Sequence, residues 1–276
     1  MSVAPRPIIL CADDYAHTPA ISRAILDLAA HRRISALSCM TASPHWPEHG
    51  PWLADVREKV DIGLHITLVD EAPLTRMPHT APDGLLPTIG TLIRKSYLGG
   101  LDLTEIEGEI RAQADAFESI TGFAPRHLDG HLHTHVLPGI RDIVLRVAHA
   151  MPHKPWLRNI SDRLPAILAR GTGVTKAAFL SVLGKPFARD AAGLPLNDSF
   201  SGIYNFDTAD YAGLFERFLA LGGRRPLIMC HPAEAGDTAA HGAIRAGEYA
   251  FLKSEACAAI LGRQNYRPAR FAETLS

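Results

Sequence analysis

Several short apolar runs in this chain stop abruptly at acidic or imidazole side chains, and this pattern constrains the fold more than any other feature. Residues 7–12 (PIILCA) end at Asp13-Asp14, and residues 226–230 (PLIMC) end at His231-Pro232. Residues 60–68 (VDIGLHITL) carry His65 near their end, and residues 126–129 run directly into a histidine-rich stretch. Continuous apolar runs of this length, without alternation, suit strands buried on both faces, as in parallel sheets. Residues 34–41 and 156–160 read as further strands.

Helical patterns fall between the runs. Thr18 is a good N-cap with Pro19 at the first helical position, and Ile21, Ile25, Leu28 and Ala29 recur at helical spacing up to His31-Arg32-Arg33. Thr104 and Glu107 predict a capping box opening a helix that closes near Gly122. Residues 140–148, 208–221 and 246–261 read as three more helices. Alternating strands and helices predict an α/β protein with a largely parallel sheet, and about seven strands in 276 residues suit a single-domain (β/α) barrel-like fold. Residues 69–100 and 161–200, rich in Pro, Gly or small residues, read as loop insertions over one domain spanning 1–276.

Composition removes several function classes. With 28 basic and 29 acidic residues, a net charge of −1 gives no broad attraction for nucleic acid or for an anionic membrane. No apolar run approaches the roughly 20 residues that span a bilayer, and two carboxylates come before any signal-like segment develops, so the expected location is cytoplasmic. Cys11, Cys39, Cys230 and Cys257 are widely spaced, which suits reduced thiols better than disulfides or a cysteine-based zinc site. Among oligomers, a homodimer is the default assembly. Sequence signatures of zincins, nucleophile-elbow hydrolases, dinucleotide-binding folds and P-loops are absent.

The chain has 14 histidines, and the notable ones sit at strand ends. In parallel α/β folds the C-terminal edge of the sheet is where active sites assemble. Asp13, Asp14, His65, the run His127-Leu128-Asp129-Gly130-His131-Leu132-His133-Thr134-His135, and His231 all fall there. Taken singly, the Asp pair could be a turn element and His65 a satisfied core histidine. In extended chain His131, His133 and His135 would all face one way. Together these residues could hold a divalent metal through one carboxylate and two imidazoles, with positions left for water and substrate.

Four segments in order, ADDY (12–15), GLHITL (63–68), HLDGHLHTH (127–135) and MCHP (229–232), resemble the YdjC-like carbohydrate deacetylases, which include chitooligosaccharide and hopanoid-associated deacetylases. Arg245 and Leu252 also resemble the family pattern, and the likeness runs from residue 8 to about 260. The resemblance implies a metal-dependent hydrolase that removes an N-acetyl group from an amino sugar or glycolipid. It makes Asp13 the general base, His231 the general acid, and Asp14, His65 and His131 the metal ligands, with zinc favoured and Mg or another divalent ion as alternatives. Spacing alone does not separate His131 from His133 as third ligand. The chain has Tyr15-Ala16 where the family often has Phe-Gly, and Ala233 where Gly often follows His-Pro, so the substrate is less determined than the chemistry. Two other readings remain: a metal-dependent hydrolase of a phosphoester or cyclic amide, and a non-catalytic metal- or sugar-binding module.

Overall fold

Strand β1 (Arg6–Tyr15) is the longest of the molecule, and from Ile8 onward every residue in it is buried. The computed structural model describes residues 4–275 apart from 209, 221 and 222. Beyond β1 the strands are β2 (Ala36–Cys39), β3 (Asp61–Ile66), β4 (His127–Gly130), β5 (Trp156–Leu157), β6 (Ser199–Ser201), β7 (Pro226–Cys230) and β8 (Tyr266–Pro268). They pair in the order β5-β4-β3-β2-β1-β7-β6, with β8 beside the start of β1. Every pairing is parallel, so every connection is a crossover and the C-terminal strand ends share one edge.

The sheet curls. Its two edges meet where the chain just before β6 bridges β5: Leu157 N–H donates to Pro195 O at 2.8 Å, and Leu157 pairs in parallel with Leu196. The Asn197 amide completes the seam, accepting from Asn159 N–H and donating to Asn159 O, both at 2.8 Å. The result is the expected barrel-like α/β fold, with helices around a curved parallel sheet and one contiguous apolar core.

Local chemistry explains most boundaries. Helix Pro19–Ala30 opens as expected, with Thr18 Oγ1 accepting from Ile21 N–H. Helix Leu103–Thr121 is capped by Asp102 rather than by a Thr104/Glu107 box: the Asp102 carboxylate takes the N–H groups of Thr104 and Glu105, and Gly122 ends the helix in the left-handed conformation. The carboxylate reaches two free donors at once, and Thr104, two residues later, already lies inside the helix. The single helix expected over 246–261 is two, Gly242–Lys253 and Glu255–Arg263. Ser254 breaks it by extending its backbone and capping the second piece through Cys257 N–H. The stretches read as loop insertions carry helix Ile89–Leu98 in the first, and helices Leu164–Arg170 and Val174–Asp190 and strand β6 in the second.

Gly63 in β3 allows a close approach inside the barrel. A Cβ there would sit 2.3 Å from the His127 ring, and that ring cannot retreat because it stacks on Trp156 at 4.1 Å. Gly63→Ala is therefore expected to destabilise the protein by about 2–3 kcal/mol, read as a lower urea midpoint at unchanged m-value.

Candidate active site

The site is assembled by an irregularity in β1. Between Ala12 and Tyr15 the strand holds one more residue than β2 opposite it, since Ala12 pairs with Leu37 and Tyr15 with Cys39. The extra residue is accommodated by Asp14 at φ 68°, a conformation that aspartate tolerates better than most side chains. Such a bulge re-aims side chains that would otherwise alternate across the sheet. Asp13 and Asp14 consequently both line one cavity of about 660 Å³ at the C-terminal sheet edge.

The two carboxylates have separate partners. Asp13 is held by the fully buried Arg158, whose Nη1 and Nη2 donate to its two oxygens at 2.5 and 2.6 Å. Asp14 instead faces His65, His131 and Arg245. His131 Nδ1 lies 2.9 Å and His65 Nε2 3.4 Å from Asp14 Oδ1, while Arg245 Nη2 donates to Asp14 Oδ2 at 2.7 Å. Burial opposes a charged Asp14, but Arg245 and His131 outweigh it and hold the carboxyl well below its usual range.

His65 is oriented from behind. β3 and β4 pair so that His65 lies opposite Asp129, and His65 Nδ1–H donates to Asp129 Oδ1 at 2.7 Å. Asp129 is fixed in turn by Ser38 Oγ–H at 2.7 Å and by Arg158 Nη2 at 2.6 Å. This carboxylate–histidine arrangement sets the ring and leaves Nε2 directed at Asp14, as around metal-bound histidines. Burial works against a charged ring, yet the carboxylates of Asp129, Asp13 and Asp14 overcome it and push His65 up to about 10. The field at this point favours a cation.

One ligand atom each from Asp14, His65 and His131 lie within 4.8 Å of one another, a donor set of one carboxylate and two imidazoles that fits a first-row divalent ion. Three carboxylates (Asp13, Asp14, Asp129) against two guanidiniums (Arg158, Arg245) leave one negative charge for that cation to balance.

The histidine run is not extended. Residues His131–Val136 form a 3₁₀ turn with Leu132 and His133 at φ 50° and 61°, so alternate residues diverge instead of sharing a face. His131 reaches Asp14. His133 lines the cavity further round, edge-on to Phe200 at 5.6 Å, and belongs to no ligand cluster among the described residues. His135 points inward and donates from Nε2 to Arg158 O at 2.9 Å. His127 is a core residue that burial keeps neutral, pushing it down to about 3.

His231 lines the same cavity, and its backbone N–H donates to Glu248 at 2.6 Å. Burial pushes the ring down to about 4, with Arg245 adding to the depression and Asp14 and Asp13 opposing it. The resting ring is neutral. Glu248, itself raised by burial to about 7, also accepts the Tyr204 hydroxyl.

Two contributors escape a reading of strand ends: Arg158 beneath Asp13, and Glu248 behind His231. Asp129 was visible as the acid inside the histidine run, two residues before His131. Arg158 and Glu248 carry no comparable signal, because a lone Arg or Glu in an apolar context discloses no partner.

A parallel α/β barrel with an Asp-His-His cluster at its C-terminal edge defines a class of metal-site proteins, and comparison narrows it. The model of the family described as YdjC-like protein matches residues 7–263, and the chain belongs to that family. A carbohydrate deacetylase of Geobacillus stearothermophilus is 28% identical over 189 residues, covering 66% of this chain and 74% of the relative. A chitooligosaccharide deacetylase of Klebsiella pneumoniae (strain 342) is 25% identical over 266 residues, covering 95% of this chain and 96% of the relative. A crystal structure from Enterococcus faecalis V583, described as a cellobiose-phosphate cleavage protein, shares the fold with TM-score 0.72 at 20% identity over 98% of this chain and 99% of its own.

Arg158→Met tests the charge framework. It would leave Asp13 and Asp129 buried without their cation, and removing one partner of a buried ion pair costs about 3–5 kcal/mol. The expected readout is a large drop in the denaturant midpoint, with the far-UV spectrum retained below it.

Proposed function

We propose that the protein is a metal-dependent carbohydrate deacetylase that hydrolyses the linear amide of an N-acetylated amino sugar. The observation that carries this reading is the convergence of Asp14, His65 and His131, with Asp13 and His231 beside them, on the floor of one cavity in a YdjC-like chain. Asp14, His65 and His131 would hold the ion, with zinc favoured by two imidazoles over harder, oxygen-preferring cations. When bound, the ion supplies Lewis acidity that makes water more acidic and the acetyl carbonyl more electrophilic.

The remaining roles fall to this chain's own side chains. Asp13 takes the proton of the attacking water; Arg158 fixes its orientation, and each of its oxygens keeps a second lone pair for the purpose. Water oxygen adds to the carbonyl carbon, the C–N bond breaks, and acetate and a free amine result. The nitrogen must gain a proton as it departs, because an amide anion is too basic to leave near neutral pH. His231 delivers that proton. Its neutral resting ring takes up the proton that Asp13 drew from the water and passes it to the nitrogen, in a cavity where Asp13 and Asp14 favour its charged form.

The walls select the substrate. Ile89, Ile93, Leu132, Phe179 and Leu183 give the cavity an apolar lining, which suits an amino sugar attached to an apolar body better than a long polar oligosaccharide. The four buried, unpaired cysteines suit a reducing compartment and thus the cytoplasm. No helix among the described residues is long and apolar enough to cross a membrane.

Released acetate and metal content together test the assignment. His131→Ala is expected to lose metal and activity, and His133→Ala to keep metal; the opposite pattern overturns the ligand set. Asp13→Asn should retain metal yet lose most turnover, whereas Asp14→Asn should lose both. For His231→Ala, kcat/KM on an N-acetyl sugar should fall by about 10²-fold or more while nitrophenyl acetate cleavage falls much less, since nitrophenolate leaves without a proton. Equal losses on the two substrates refute the proton-donor role.

A further inference from the structure

Helix Val174–Asp190 carries a wide apolar arc that runs from the interior out to solvent. Leu180, Gly184 and Phe187 face the interior, while Phe179 and Val182 are 54% and 63% exposed. At roughly 100° per residue, Phe179, Val182 and Pro186 form a stripe that adjoins the buried one on its solvent side. A surface helix with nothing to cover carries polar residues there.

Neighbouring elements repeat the pattern. Helix Leu164–Arg170, packed on the first, exposes Leu164 and Leu168 one turn apart. Across the cavity, helix Ile89–Leu98 turns Ile89 and Ile93 inward, and the next residue of that stripe, Tyr97, is exposed together with Leu98. Leu132 stands at the mouth. These seven are most of the eleven large apolar side chains exposed among the described residues; Phe179 and Leu132 line the cavity itself, and the others lie on helices that supply cavity lining or pack on one that does.

The same elements are basic in a chain of net charge −1. Residues 163–189 hold Arg163, Arg170, Lys176, Lys185 and Arg189 and no acidic residue, and helix Ile89–Leu98 adds Arg94 and Lys95, again with no acid. Arg170 is engaged by Asp162 and Arg189 by Asp190, which leaves Arg163, Lys176 and Lys185 to act on an external partner. Apolar side chains projecting among lysines and arginines are the combination that enters the headgroup region of an anionic bilayer. A second copy would bring a like-charged rim and be repelled.

We propose that this rim, formed by helices Ile89–Leu98, Leu164–Arg170 and Val174–Asp190, seats the protein on an anionic lipid surface with the cavity opening toward the headgroups. Binding then combines shallow apolar insertion with charge attraction, so it depends on salt and on lipid charge.

The test is co-sedimentation of the full chain with phosphatidylcholine vesicles, with and without phosphatidylglycerol. The assay reads binding rather than turnover, so its outcome is separate from that of the deacetylase reading. The wild type should sediment with the phosphatidylglycerol vesicles, less so as salt rises, and remain in solution with phosphatidylcholine alone. Lys185→Glu should weaken the partition by about tenfold, and the Leu168→Asp/Val182→Asp double variant should abolish it, both at an unchanged melting temperature. The proposal is overturned if the wild type ignores anionic vesicles, or if both variants bind as well as wild type. It is equally overturned if the wild type is a dimer by sedimentation velocity that the double variant dissociates while neither binds vesicles.

Discussion

Arg158 ties the two sides of the curled sheet together. It follows β5, yet its guanidinium reaches both oxygens of Asp13 on β1, four strands away in the sheet order, and Asp129 on β4. An extended side chain can do this only across the interior of a curved sheet. Because it is wholly buried, its charge must be matched on the spot, and two carboxylates from different strands do so. His135 anchors the Arg158 carbonyl, and Leu128 accepts the Arg158 N–H at 3.2 Å. Arg158 is also in contact with the chemistry at one remove on both sides, orienting Asp13 directly and His65 through Asp129.

The site therefore rests on two local departures from regular structure. In a regular β1, Asp13 and Asp14 would point to opposite faces and only one could enter the cavity. The bulge brings both in, and their different partners divide the work: Asp13 to a guanidinium, Asp14 to two imidazoles and Arg245. In the histidine run, left-handed backbone at Leu132 and His133 sends three alternate histidines to three destinations: the ligand cluster, the cavity wall and the support of Arg158. Strain of this kind persists only where the surroundings over-determine it: Asp13 and Tyr15 beside Asp14 are buried, as are Gly130 and Thr134 on either side of the histidine turn.

What the sequence disclosed follows from range. Apolar runs with polar tips are local signals, so β1, β3, β4 and β7 and the residues at their ends could be read directly, and with them the edge on which the site forms. Strands β6 and β8 are three residues each, SFS and YRP, too short and too polar to stand out. The histidine run misled for a physical reason: alternation predicts a common face only if the backbone is extended, and nothing in HLHTH announces the left-handed turn. Arg158 and Glu248 were illegible because a buried charge is explained by its partners, and those lie 145 residues away for Arg158 with Asp13 and 17 for Glu248 with His231. Homologous motifs supplied roles for Asp13, Asp14, His65, His131 and His231; they did not supply the framework that orients them.

The cavity is polarised, and that asymmetry decides which part of a substrate can reach the chemistry. Its floor carries the carboxylates of Asp13 and Asp14, the Arg245 guanidinium and the imidazoles, whereas its lining from Ile89, Ile93, Phe179 and Leu183 is apolar. An apolar group pressed onto the floor would strip water from charges without replacing it, which costs several kcal/mol; a sugar amide placed there can return hydrogen bonds. For the substrate proposed here, this would turn the acetamido end inward before any bond is broken. The apolar walls also lower the local dielectric, so the ion pairs that orient Asp13 and Asp14 act more strongly than they would in open water. The same burial keeps the resting His231 neutral, so under the proposed roles orientation of the substrate and control of the proton both derive from one arrangement of apolar wall over charged floor.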